Sequence, residues 1–286
     1  MVADTMEQYL MEQMTKNNGL LCFKFVDKKA TKKMIEENHY SKSWYHMFGK
    51  INVGVFKDNR FLGVASFGSM KVAKSFKSIS KDLEQDQIVE LNRLWIDDEL
   101  KKNAESILIS KSIKLIKKYY PNIRVIQSFA DGRLGCGTIY QASNFKYYGF
   151  HETEFFEDIE SGRCFHEMVF HTSSRPLVIT RNLEMLGNQF KKFKTRTYRY
   201  LYLIDKKIEI EHKEKEYIKS EPYKEYLDWV KDEVKIERWI GNCLKYQFNK
   251  LNKEKFTFSF DGDKYIYTKD MWVNNIHPSS LVEVNV

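Results

Sequence analysis

Residues 128–149, SFADGRLGCGTIYQASNFKYYG, constrain the fold of this chain more than any other stretch. They close an apolar run in which Ile123, Val125, Ile126 and Phe129 carry the β-branched and aromatic character of a buried strand. An acid, Asp131, follows at once. Gly132, Gly135 and Gly137 then supply backbone conformations that residues with a Cβ reach only at a cost, and Thr138 is the expected N-cap of a short helical segment from Ile139 to Phe145. Strand, acid, glycine loop and helix in this order put polar groups and free helix N–H donors at the carboxyl end of a strand. Open α/β sheets hold their ligands there.

The flanking sequence supplies the rest of a mixed sheet. Residues 1–18 read as a short helix or loose tail, Leu20–Val26 as a strand, and Ala30–Glu37 as a helix with Ala30, Met34 and Ile35 inward. HYSKSWYHMFGK (39–50) has no periodicity. Ile51–Phe56 and Phe61–Phe67 form a hairpin across Lys57-Asp58-Asn59-Arg60, and a lysine- and serine-rich connection, 71–86, is expected to be mobile. Ile88–Ile96 is a strand whose Glu90 and Arg93 mark either an edge face or a site lining. A helix from Ala104 to Tyr120, ended by Pro121, presents Ile109, Ile113, Ile116 and Tyr120 on one face. Further strands are expected at 150–157, 164–170 and Tyr198–Ile204, with a helix at Leu183–Phe190. Beyond Asp205 the texture changes. An amphipathic helix, with Tyr223, Leu227, Val230 and Val234 at helical spacing, precedes a hairpin around Asp261-Gly262-Asp263. The expected fold class is α/β (α+β), a mixed central sheet flanked by helices, in three segments: a tail (1–18), a main domain (19–208) and a helical plus β-hairpin appendage (209–286).

Composition narrows the function classes. The 286 residues are 42% hydrophobic and 30% charged, with no run near the roughly 18 apolar residues of a membrane span. The first residues, MVADTMEQYLMEQM, lack the basic-then-apolar order of a signal peptide, so the expected location is the cytoplasm. Four cysteines, Cys22, Cys136, Cys164 and Cys243, show no CxxC pairing and read as reduced thiols. The formal charge of +8 is compatible with a nucleic-acid partner. Lys191, Lys192, Lys194, Arg196 and Arg199 alternate with Phe190, Phe193, Tyr198, Tyr200 and Tyr202, a pattern suited to backbone contact plus stacking and equally to an exposed basic edge strand.

The element order β, α, β-β, β, α, β, α, β resembles that of the GNAT acyltransferases. In that fold an acyl-CoA pyrophosphate sits at the start of the central helix. The corresponding loop, Asp98 to Ser106, lacks the usual glycine motif but offers Lys101, Lys102, Asn103 and Ser106; an ordinary capped helix start would look the same. Tyr140-Gln141-Ala142-Ser143-Asn144-Phe145 is similar to the segment whose tyrosine protonates departing CoA thiolate, which makes Tyr140 a candidate general acid. Ser128 and Asn144 beside it complete the candidate cofactor contacts.

A narrower resemblance is to the Mom family of phage DNA-modification proteins, carried by NHYSKS (38–43), GVASFGS (63–69), ELNRLWI with NAES (90–106), SFADGRLGCGTIYQASNFKYYG (128–149), GRCFHEMVF (162–170) and KTRTYRYLYLIDKKI (194–208). The chain departs from that pattern at Cys136, where a polar or histidine residue is usual, and after 208. The resemblance implies an enzyme of a bacterial host cell under phage infection, decorating the exocyclic nitrogen of adenine in double-stranded DNA and blocking restriction. It implies acetyl-CoA or a related acyl-CoA as cofactor. Because the adduct carries a terminal carboxamide that plain acetyl transfer does not make, a further nitrogen source or a redox metal such as iron enters the expectation. Ligand-type groups include His39, His166 and Asp131, without metal-site spacing. The N6 lone pair is delocalised and needs an oriented acceptor for its proton, for which Asp131 is the candidate, with His39 and Tyr40 next. The adenine must be flipped out of the duplex. Stacking at the mouth falls to Trp44, Tyr45 and Phe48, which could equally cover the core; Arg93 and the strip Lys191, Lys192, Lys194, Arg196 and Arg199 are the candidate DNA contacts. Two rival readings are an ordinary GNAT N-acetyltransferase acting on an amine or protein lysine, and a non-catalytic DNA-binding protein of the same fold.

Overall fold

The computed structural model describes residues 10–70, 74–166 and 190–227, together with the backbone of 260–261 and 264–265. The chain divides into two units, one of residues 1–151 with 196–223 and one of 152–195 with 224–286. The boundary expected at 208 differs from this division, because residues 209–223 belong with the first unit.

In the first unit, strand β1 (Met11–Thr15) pairs antiparallel with β2 (Gly19–Phe25). The expected helix or tail is thus a strand over its described part. Helix α1 (Lys28–Asn38) follows, capped by the Asp27 side chain, which accepts from the Ala30 amide at 2.8 Å. Strands β3 (Ile51–Lys57) and β4 (Arg60–Gly68) form the expected hairpin, with Asp58 and Asn59 at φ 49° and 61° as a tight two-residue turn requires. The connection to β5 (Ile88–Ile96) is not the loose segment expected: Phe76, Ile79 and Leu83 are buried on Ile88, Val125 and Leu201. The burial of those three apolar side chains among polar ones holds it down.

Helix α2 (Ala104–Tyr119) returns the chain so that β6 (Val125–Asp131) lies parallel to β5, and β9 (Phe190–Leu203) pairs antiparallel with β6. The main core lies between the sheet and α2 and α3 (Thr138–Ala142), around Phe23, Phe67, Leu108, Tyr198 and Tyr200. Gly137, at φ 84°, rather than Thr138, caps α3. A Cβ there would lie 2.6 Å from the Ala130 Cβ, so helix and strand approach too closely for any side chain.

Two local features shape the site. The parallel register stops at Glu90↔Gln127, after which β5 stays with β4 and β6 with β9, so the two strands part company. A bulge in β5 sets Arg93 opposite Ser66 and Leu91 opposite Phe67, leaving Asn92 as the extra residue. Residues that pair directly share a face. The bulge therefore puts Glu90 and Arg93, three apart, on the same side of the sheet, where a regular strand would oppose them.

In the second unit, the end of β7 (Lys146–Asp158) pairs with β8 (Cys164–His166), and β10 (Glu225–Tyr226) pairs with Phe193 and Lys194 of β9. Phe155 stacks on Phe193 at 5.6 Å. The amphipathic helix expected from Tyr223 is strand at 225–226, and its remainder lies outside the described residues, as does the helix expected before Phe190. β11 (Phe260–Asp261) and β12 (Lys264–Tyr265) pair as the Asp-Gly-Asp signal required. Among the described residues no helix is long and apolar enough to cross a membrane.

Candidate functional site

Gln127, Phe129 and Asp131 alternate onto one face of β6, which through the Glu90↔Gln127 pair is also the face of Glu90 and Arg93. Asp131 ends the strand. Its carboxylate accepts from Arg133 Nε at 3.0 Å on both oxygens and from Arg133 Nη2 at 2.5 Å, while the Arg133 backbone amide reaches Oδ1 at 3.0 Å. The acid is 17% exposed, so this fork-on-fork pair is only partly screened. The Tyr40 hydroxyl stands 3.5 Å from Asp131 Oδ2.

Tyr40 comes from the aperiodic loop after α1, and a chain of hydrogen bonds fixes that loop. His39 caps α1 with its backbone N–H and is buried, with Nδ1 accepting from the Ser41 amide at 3.1 Å and 2.9 Å from Ser41 Oγ. Ser43 Oγ lies 3.2 Å from Ser41 Oγ and accepts from Arg93 Nη2 at 2.7 Å, while Arg93 Nε donates to the Ser43 carbonyl at 3.1 Å. The Arg93 guanidinium also covers the Phe48 ring at 4.6 Å. Lys42 takes up the strained φ of 42° that this tight path demands. Burial, then the charge of Arg93, push the His39 pKa down to about 4. The imidazole is thus neutral at physiological pH, and it backs the Tyr40 ring at 4.3 Å.

Tyr40 is 58% exposed over the whole residue, yet its hydroxyl end is turned into the crevice. Desolvation there, then the Asp131 carboxylate and Tyr140, raise its pKa. Tyr140, from the first turns of α3, is buried between Phe145 and Tyr200. Desolvation raises its pKa against a hydrogen bond with Ser128, and the charges of Glu90 and Arg93 reach it. Ser128 also donates to the Leu91 carbonyl at 3.2 Å, close to where β5 and β6 separate. Tyr40 thus links Asp131, with which it is in hydrogen-bond range, to His39, whose loop Arg93 tethers, while Tyr140 and Ser128 lie at the parting of β5 and β6.

Sequence reasoning missed Arg133, Ser41 and Ser43. Arg133 had a signal, a basic residue two positions beyond an acid in a glycine loop. The serines had only their alternation in HYSKS. Gln127, which donates to Glu90 Oε2 at 3.1 Å, was also missed, and its buried Oε1 has no hydrogen-bond partner among the described residues. Cys136 is buried away from this chemistry, donating to the Ile218 carbonyl at 3.3 Å, while its own carbonyl accepts from Tyr200 at 2.5 Å.

The other candidates lie elsewhere. Asn103 takes φ 75° before α2, and Ser106 donates to its carbonyl at 3.0 Å. The Lys101 amide donates to Asn18 at 2.6 Å, and the Lys102 carbonyl accepts from Asn17 at 3.5 Å. Asn144 is exposed at φ 62°, serving the turn after α3. Trp44 packs edge-on to Phe48 at 5.8 Å and over Gly49, which turns it back onto its own loop. The basic strip is not a row of free cations. Lys192 pairs with Glu154, Lys194 with Glu152 at 3.6 Å, and Lys191 lies over the Tyr226 ring at 5.9 Å. Arg196 is sandwiched between Phe150 and Tyr223 at 4.7 and 4.2 Å. Strand alternation in β9 produces this: neighbouring strands supply partners to side chains that a linear reading leaves in solvent. Among the described residues no three His, Cys, Asp or Glu side chains converge as a metal ion would require.

The Mom protein family matches residues 20–223 of the chain. The "Methylcarbamoylase mom" of Escherichia phage Mu is 32% identical over 177 residues, covering 61% of this chain and 71% of that protein. Among solved structures, Arabidopsis thaliana NAA60 in complex with acetyl-CoA is 10% identical with a TM-score of 0.40, over 64% of this chain and 99% of that one. A probable acetyltransferase from Staphylococcus epidermidis is 9% identical with a TM-score of 0.35, over 64% and 99% of the two chains.

Proposed function

The chain belongs to the Mom protein family, and on that premise we propose that it is a DNA methylcarbamoylase, adding a carbamoylmethyl-type group to the N6 amine of adenine in phage DNA and so protecting it from host restriction. The single observation that best supports this is the Tyr40 hydroxyl 3.5 Å from an Asp131 carboxylate, beside Tyr140, within the residues the family matches.

The roles follow from the chemistry of the acceptor. As the new N–C bond forms at N6, one N6 proton must leave, and Asp131 is the oriented anion that takes it. Tyr140, kept protonated by burial, donates to the group that departs. Neutral His39 and the Ser41, Ser43 and Arg93 chain hold Tyr40 in place. A flipped adenine costs a few kcal/mol of unstacking, and the open face of the Tyr40 ring, with Tyr45 at 37% exposure nearby in the loop, suits it for stacking. An acyl-CoA fits the parting of β5 from β6, with Lys101, Lys102, Asn103 and Ser106 at the N-terminus of the sixteen-residue α2 to receive its phosphates. When bound, it would supply an activated two-carbon unit, while the carboxamide nitrogen of the adduct and the two-electron oxidation at its N6-linked carbon call for a further nitrogen source and an oxidant. The departure at Cys136 does not intrude on these roles, since its thiol points to the Ile218 carbonyl.

Nucleoside mass spectrometry on DNA from cells making the protein tests this reading. Modified deoxyadenosine is expected, and its loss in Asp131→Asn and Tyr140→Phe. Only unmodified deoxyadenosine, from cells with abundant folded protein, refutes it. Thiol release from acetyl-CoA with amines but not DNA would instead identify an ordinary acetyltransferase, and DNA binding without acyl-CoA affinity a binding protein.

A further inference from the structure

Beyond the acid and tyrosines, the same face of the first unit carries a cavity of about 240 Å³ lined by Tyr148, Gly149, Phe150, His151, Arg199 and His212. Arg199 is directly opposite Phe129 in the β6–β9 ladder, and Thr197 is opposite Asp131. Opposed residues share a face, so the Arg199 side chain emerges on the Asp131 side. At roughly 3.4 Å per residue and about 4.8 Å between strands, the two Cα atoms are only about 8 Å apart.

The cavity carries a cation, Arg199, and no acid among its lining residues. Arg199 is half-buried, and among the described residues it has no carboxylate partner. Its Nη1 instead donates to His212 Nε2 at 2.8 Å, and its guanidinium lies 5.6 Å from the Phe129 ring, which His151 meets edge-on at 6.0 Å. The fork is thereby steadied on one side by an imidazole and on another by an aromatic ring. Its remaining N–H donors have no carboxylate to take. A planar, pre-oriented guanidinium of this kind matches a phosphate's paired oxygens, and the flanking imidazoles add N–H donors.

We propose that this cavity is a phosphate-binding site for the DNA backbone, holding the phosphodiester next to the adenine presented to Asp131. The proposal rests on the reading of the protein as a DNA-modifying enzyme, and it fixes where the strand is gripped. A phosphate of the acyl-CoA has the same chemistry, but the cofactor's expected place is at the start of α2, whereas Arg199 shares its face with the acid that meets the base.

The test reads binding rather than turnover, so its failure is distinct from absence of modification. One phosphate contact contributes about 0.9 to the slope of log K against log salt. Arg199→Gln is expected to lower the slope for duplex DNA by about that amount and to leave acetyl-CoA affinity unchanged; Arg199→Lys should keep the slope. His151→Glu, at an exposed position that tolerates a charge, gives Arg199 an internal acid and should produce the same loss if Arg199→Gln does not fold. An unchanged slope in both Arg199→Gln and His151→Glu overturns the proposal. Weakened acetyl-CoA binding with an unchanged DNA slope also overturns it, by assigning the cavity to the cofactor's phosphate.

Discussion

His39 offers a prediction whose size can be worked out from its surroundings. Its folded-state pKa is pushed down to about 4 from 6.5 by burial and by Arg93. The folded protein therefore resists protonation while the unfolded chain takes up a proton near 6.5. The stability this represents is fully present above that value. It is lost as pH falls from about 6.5 to about 4, by up to about 1.4 kcal/mol per pH unit and about 3 kcal/mol in all. His39→Asn removes the titration and keeps a side-chain acceptor for the Ser41 amide, which now reaches Nδ1 at 3.1 Å. Urea unfolding of both proteins from pH 7.5 to 4.5 should show wild type losing stability faster than the variant, the gap changing by about 2 to 3 kcal/mol. His151 and His212 carry shifts in the same direction, from burial and then Arg199, but they titrate equally in both proteins and cancel. Parallel stability curves, or a His39 NMR titration midpoint near 6.5, would refute the reasoning. The same value bears on catalysis: an imidazole neutral from pH 5 upward is no proton donor at pH 7, so the rate should have no acid limb that disappears with His39→Asn.

Three further outcomes follow from the geometry. Tyr140→Phe should lower kcat by about 10²- to 10⁴-fold, the usual range for a general acid, with KM for DNA little changed in steady-state assays. Gly137→Ala should destabilise by about 2 kcal/mol or more in thermal or urea unfolding, because φ is 84° and the new Cβ would sit 2.6 Å from Ala130 and 2.9 Å from Tyr200. Arg93→Lys keeps a charge but loses the fork that holds the Ser43 carbonyl and hydroxyl together, so limited proteolysis should cut within 39–50 sooner and modification should fall; unchanged cleavage would deny Arg93 its tethering role.

How far the sequence disclosed this molecule depends on the range of each interaction. The hairpin at Asp58-Asn59, α2 and the strand ending at Asp131 were legible because turn chemistry and apolar periodicity are local. The succession of acid, glycine loop and short helix carrying Tyr140 was legible because one strand, loop and helix encode it. The bulge at Asn92 was not, since a one-residue slip against β4 leaves no mark in β5 itself, yet it decides that Arg93 shares a side with Glu90. The partners of the basic strip were hidden for the same reason: those of Lys192 and Lys194 come from Glu154 and Glu152 and that of Arg199 from His212, and linear proximity of charges carries no record of them. Residues 71–86 looked mobile from their lysines and serines. Three apolar side chains among them outweigh that polarity by being buried.

The pairing of Asp131 with Arg133 joins these observations into an order of events. A carboxylate whose two oxygens both accept from one guanidinium has its acceptor positions occupied, so an N6 amine reaches one only where the fork opens. Arg133 sits in the Asp131–Gly137 loop, where Gly135 at φ 119° leaves the backbone free of side-chain constraint. An incoming backbone phosphate is the competing anion for that guanidinium, and the Arg199 cavity lies on the same face to bring one close. Phosphate capture that draws Arg133 away would free an oxygen of Asp131 only when DNA is in place. The carboxylate would then be held by its neighbour without substrate and open to N6 with it, so strand binding and access to the acid are coupled through a single side chain two residues along the loop.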